Sequence, residues 1–182
     1  MLGRLSQRVD SRARSTFQAF GHTLGPLCTL ASLWSPSVTP SRDVILADVA
    51  RRLDAADVFG EITRPGETLV ARARASAEPA QYTLSFDGGS WWVSLTMADR
   101  WLSESIETDL VHSGDSLDEL LEDEMVELDL DGPAPKVEHF RSEAKLFTFR
   151  AKVPGDATPD RIARFVLAFE ACFSHLGDMS AA

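Results

Sequence analysis

The chain has few cysteines, little positive charge and no long apolar run. Its two cysteines, Cys28 and Cys172, stand far apart in segments of different character. No disulfide framework is therefore expected, and a reducing compartment is the default. Cys172 falls on an apolar helical stripe and reads as a small buried hydrophobe. No apolar stretch approaches the ~20 residues that a spanning helix needs, so no membrane partner is expected. Lys and Arg number 18 against 28 Asp and Glu, a net charge of −10 over 182 residues. No dense Lys/Arg cluster offsets that balance, which argues against a nucleic-acid binder.

Chemical signatures are equally sparse. His22, His112, His139 and His175 are scattered, and none pairs with another at ligand spacing, whereas a zinc site needs a local His/Cys cluster. Asp129-Leu130-Asp131-Gly132 is only a fragment of a calcium loop. Asp87-Gly88-Gly89-Ser90 lacks the Lys and the following helix of a phosphate-binding loop, and no Gly-x-Ser-x-Gly elbow occurs. Glu138 and His139, adjacent on a short strand, point to opposite faces and cannot act as a direct acid–base pair. No catalytic residue, cofactor or metal ligand is assigned.

What the chain does have is a concentrated acidic run. Between Asp99 and Asp131 lie thirteen carboxylates and one Arg, Arg100. Leu102, Ile106, Leu110, Leu117, Leu120, Leu121, Met125 and Leu128 recur through it at helical spacing. Such a segment presents a charged face to water or to a basic partner. Pairs such as Glu104/Glu107 and Glu119/Asp123 also have the helix-face spacing that a carboxylate-based or metal-dependent hydrolase uses, and that is the alternative reading of segment 99–131.

Residues 1–40 differ from the rest. Arg4, Arg8, Arg12 and Arg14 face the single acid Asp10, and Ser, Thr, Gly and Pro accumulate from Gly21 to Pro40. This basic, Ser/Pro-rich leader has the composition of a transit peptide. A flexible or cleaved leader, an over-long gene start and a docked amphipathic arm remain open beside it. With a transit peptide the destination is an organelle matrix and the chain an organelle-targeted accessory protein; otherwise it is the cytoplasm. Folding is expected to start near residue 41, with a single α+β domain over 41–178 and a tail at 179–182.

Within that domain Ser41 caps a helix to about Ala56, with Ile45, Leu46, Val49, Ala50 and Leu53 on one stripe. The period then changes to two. Thr68–Ser76, Tyr82–Phe86 and Trp91–Met97 read as a three-stranded meander, its second turn at Asp87-Gly88-Gly89. Two helical stretches, 98–112 and 115–129, break at Ser113-Gly114, and Ser116 with Glu119 forms a capping box. Val137–Arg141 and Ala144–Val153 read as strands. Thr158 caps the last helix, Pro159 opens it, and Gly177 supplies its left-handed stop. Its stripe runs Ile162, Phe165, Val166, Phe169, Phe173, Leu176.

The order is α-βββ-α-ββ-α, an α+β fold with a five-stranded antiparallel sheet. With the segment Ser90-Trp91-Trp92-Val93-Ser94-Leu95 and the helix from Arg161 to Leu176, it resembles the YbjN-like family of bacterial sensory-transduction regulators, which has a type III secretion chaperone-like fold. The resemblance covers 41–178 at the level of topology, and no functional residue is carried over by it. It implies a non-enzymatic regulatory or chaperone-like protein-binding module, a protein partner, and a homodimer in the bacterial cytosol. Trp91 and Trp92 face opposite sides of their strand, and a helix is expected to cover the outward one. The candidate protein-binding surface comprises Trp92, Trp101, Glu119, Glu122 and Asp123.

Overall fold

The computed structural model describes residues 40–180, and the expectations for the leader and for Cys28 fall outside the described residues. Helix α1 runs Arg42–Ala56; Ser41 Oγ accepts from the Val44 amide, and Ile45, Leu46, Val49 and Leu53 are buried. It stops at Asp57, which takes a left-handed conformation.

Six strands follow the pleat of one antiparallel sheet. They are β1 Ile62–Thr63, β2 Leu69–Arg72, β3 Ala80–Asp87, β4 Ser90–Met97, β5 Glu138–Arg141 and β6 Phe147–Lys152, in spatial order β1-β2-β3-β4-β6-β5. The central hairpin is complete from Ala80↔Met97 to Asp87↔Ser90. It closes through Gly88 (φ 54°) and Gly89 (φ 80°), the two positive-φ positions that a tight hairpin loop requires.

Two sequence expectations are corrected here. The sheet has six strands, and the order is α-ββββ-αα-ββ-α. The extra strand β1 has two residues, too short to show alternation, and is fixed by long-range bonds: Gly60 N–H donates to Arg72 O and Arg72 N–H to Glu61 O. Strand β2 also ends at Arg72, not Ser76. Pro79 has no amide to give a ladder, and Arg74 turns away to donate to Phe59 O from Nε (3.2 Å) and Nη2 (2.8 Å).

Between β4 and β5 lie α2, Arg100–Ser113, and α3, Leu117–Glu127, separated by Gly114 in a left-handed cap. The capping box at Ser116/Glu119 is present. Helix α4, Pro159–Ser174, starts at Thr158, whose Oγ1 accepts from Arg161 N–H at 3.2 Å. Phe165, Phe169 and Phe173 of α4 are wholly buried.

Gly177 is the other correction. The helix ends three residues earlier, and Gly177 (φ 50°) opens a 3₁₀ turn, Gly177–Ser180. That turn lies on the backbone of α2. Gly177 N–H donates to Asp109 Oδ2 at 2.7 Å, and Asp178 N–H to Ser105 Oγ at 3.0 Å. A Cβ at Gly177 would meet Ser105 Oγ at 2.5 Å and Ile106 N at 2.7 Å, so only glycine fits. Met179, beyond the expected domain end at 178, is buried.

One core results. Leu69, Ala71, Tyr82, Leu84, Trp91, Val93, Leu95, Met97, Phe149 and Ala151 pack one sheet face against the four helices. Alternation puts the other residues of each strand on the opposite face.

Candidate functional site

The face of the sheet turned away from the helices is the feature that the fold leaves exposed. Cross-strand register sets Arg72, Gln81, Thr96, Thr148 and Phe140 in one row, and Val70, Thr83, Ser94, Arg150 and Glu138 in the next. Ser85, Trp92 and Lys152 follow in a third. Five of the thirteen, Thr83, Ser85, Ser94, Thr96 and Thr148, are small and polar, and they occupy the middle of the sheet. The aromatic side chains cluster around Arg150.

The Arg150 guanidinium lies 4.3 Å over the Trp92 ring and 5.3 Å from the centre of the Phe140 ring. The same group donates to Glu138 Oε2 from Nη2 at 2.6 Å and from Nε at 3.2 Å. Cation–π stacking and a forked carboxylate contact together hold a long side chain flat against the sheet. Arg72, Arg150 and Lys152 share this face with three carboxylates: Glu138, Glu61, which lines a groove with Arg72 and Gln81, and Asp87, which follows Ser85 in the alternation of β3. Arg72 and Lys152 enter no ion pair among the described residues.

The predicted surface residues do not come together. Trp92 lies on this face, and the expected cover by a helix is corrected: the helices pack on the other side because Trp91, Val93, Leu95 and Met97 carry the apolar pattern, and Arg150 covers Trp92 instead. Trp101 sits on the first turn of α2 and is 73% exposed. Glu122 and Asp123 are exposed on α3. Glu119 is engaged in the helix cap, where Ser116 N–H (3.1 Å) and Oγ–H (2.8 Å) donate to its Oε2. The backbone bond from Ser116 holds its carboxyl below the usual carboxylate range. Sequence reasoning missed Arg150 and Phe140 as members of a surface. The signal was the alternation of Thr148, Arg150 and Lys152 against Phe147, Phe149 and Ala151.

A second cluster joins α2 to β5. His139 Nε2 lies 3.4 Å from Ser103 Oγ and His139 Nδ1 3.7 Å from Glu107 Oε1. Ser, His and carboxylate at such positions are the parts of a nucleophilic triad. Here Ser103 is fully buried and its hydroxyl donates to Glu107 Oε1 at 3.3 Å, so no substrate reaches it. His139 also stacks on Phe149 with ring centres 3.9 Å apart. The cluster ties the edge strand to α2.

Cys172 is buried, and desolvation pushes its thiol up to about 12. Among the described residues no His/Cys/Asp/Glu group is arranged to hold a metal, and no helix is long and apolar enough to cross a membrane. No protein-family model, curated protein or solved structure matches the chain.

Proposed function

We propose that this chain is a non-enzymatic protein-binding module that takes an acidic, extended segment of a partner across the sheet face opposite its helices. The observation that carries this is the Trp92–Arg150–Phe140 stack, with Arg72 and Lys152 outside any ion pair among the described residues on the same face. Arg and aromatic side chains, pre-ordered by stacking, are the groups that dominate binding energies at interfaces. Arg72 and Lys152 enter no ion pair among the described residues, which favours a partner that brings carboxylates to them. Small Thr and Ser residues between them leave room for an extended backbone. The YbjN-like resemblance, with its chaperone-like fold, points to the same class of regulatory protein binder.

The test is a fluorescence-anisotropy titration of the full chain with a labelled decapeptide of alternating Glu and Thr, beside its Lys/Thr counterpart. Saturable binding of the Glu peptide is expected, weakened about tenfold by added salt and by the Arg72→Ala/Lys152→Ala pair. Equal binding of the Lys peptide, or no effect of the pair, overturns the reading. A concentration-dependent self-association that blocks the peptide would assign the face to a second copy of the chain and overturn it too.

A further inference from the structure

On the helix side of the sheet, at the end of α4, a pocket of about 320 Å³ opens between α1, the β2–β3 connection and the 3₁₀ turn. Tyr82, Glu170, Ser174, Arg74, Val58 and Met179 are among its walls. Three oxygen-bearing side chains line it with acceptor capacity left over. Tyr82 is 1% exposed, and its hydroxyl is the one buried side-chain polar atom without a partner among the described residues. A buried hydroxyl left without a partner is costly to the fold. Ser174 donates its hydroxyl proton to Ala171 O at 2.9 Å, which leaves its oxygen free to accept. Glu170 enters no ion pair among the described residues.

Charge sorts the ligand classes. Arg74, the cation at the rim, is paired with Asp57 at 2.6 Å and donates to Phe59 O from Nε and Nη2. The carboxylates that bear on the site are Glu170 itself, Asp57 on the wall beside Arg74 and, from α3, Glu124; His175 lies beside Glu124. An anion would meet Glu170, Asp57 and Glu124 against the one cation Arg74, already paired with Asp57. A neutral apolar molecule would leave the Tyr82 oxygen unpaired. A primary ammonium group supplies three N–H donors to three acceptors and a charge to set against Glu170, while Val58 and Met179 contact its carbon chain.

We propose that this pocket binds a small organic ammonium compound, its NH₃⁺ group held by Glu170, Tyr82 and Ser174. Burial and Glu124, opposed in part by Arg74, raise the Glu170 carboxyl to about 7, so occupancy should strengthen with pH through neutrality as the carboxylate forms, and binding should release a proton below that point.

Tyr82 is the only tyrosine in the chain, so a ring-labelled tyrosine gives one signal that reports on this pocket alone. The full chain carrying [ζ-¹³C]tyrosine is titrated at pH 8 with n-propylammonium, and in parallel with propan-1-ol, its neutral isostere. The expected result is a saturable shift with the amine, about tenfold weaker with the alcohol, and weakened about tenfold by Glu170→Gln. The variant is isosteric, and its unchanged amide spectrum away from the pocket certifies the fold. No saturable shift, equal binding of the alcohol, or amine binding indifferent to Glu170→Gln would each overturn the proposal.

Discussion

The Arg150 guanidinium stacks 4.3 Å above the Trp92 ring while gripping Glu138 at 2.6 Å, on a sheet face with no helix over it among the described residues. The contact is partly exposed on both sides, so its weight in folding is small. Arg150→Ala is expected to change unfolding free energy by less than about 1 kcal/mol in urea. The same variant should expose Trp92, seen as faster acrylamide quenching. A loss well beyond that figure would make Arg150 a structural element and not a surface poised for a partner.

Gly177 is the opposite case, a residue whose role is wholly structural. Replacing it with Ala forces a Cβ to within 2.5 Å of Ser105 Oγ and 2.6 Å of Ser105 C at a φ of 50°. Backbone in that region costs a non-glycine residue about 1–3 kcal/mol before the clash is counted. Gly177→Ala should lower urea stability by at least about 2 kcal/mol and speed amide exchange at Asp178. A change under half that would show the 3₁₀ turn to be loosely docked on α2.

Phe169 lies at the centre of the core, fully buried, with Phe173 at 5.0 Å and Tyr82 edge-on at 6.4 Å. Phe169→Ala should cost about 3–5 kcal/mol by lost transfer energy and cavity formation. A near-neutral result would mean that α4 packs on the sheet far more loosely than this.

Glu170 sets a pH dependence with a definite sign. Its carboxyl titrates near 7 when folded because burial disfavours the charge, against about 4.5 in the unfolded chain. The folded state therefore holds the proton more tightly, and stability is highest below pH 4.5 with respect to this group and falls as pH rises to 7. Since the side chain is partly open to solvent, the loss is on the order of 1–2 kcal/mol. Glu170→Gln should flatten that slope in chemical-denaturation curves taken from pH 4.5 to 8. An unchanged slope would assign it to other groups, Glu124 foremost.

Local chemistry makes much of the fold legible in the sequence. Ser41, Ser116 and Thr158 cap the helices that they announce, and the Gly88-Gly89 turn fixes the register of β3 on β4. Where the sequence misled about strand β1 and Gly177, the cause was a partner distant along the chain. Strand β1 exists through Gly60, Glu61 and Arg72. Gly177 reads as a helix stop until α2, some seventy residues upstream, is brought against it. The surface was less legible than the core. Thr83, Ser94 and Arg150 look like ordinary solvated positions until the register lays them side by side. The acidic run drew attention to Glu119, Glu122 and Asp123, yet Glu119 is tied into a cap and the other two stand alone on α3.

The most direct test of the binding account is a ¹⁵N-resolved shift map of the full chain with the Glu/Thr decapeptide. The account predicts that the Trp92 indole N–H and the amides of Thr83, Ser94 and Arg150 shift together and saturate. It also predicts that the Trp101 indole and the α3 amides at Glu122 and Asp123 stay in place. Shifts confined to Trp101 and α3, or no saturable shift at all, would contradict it.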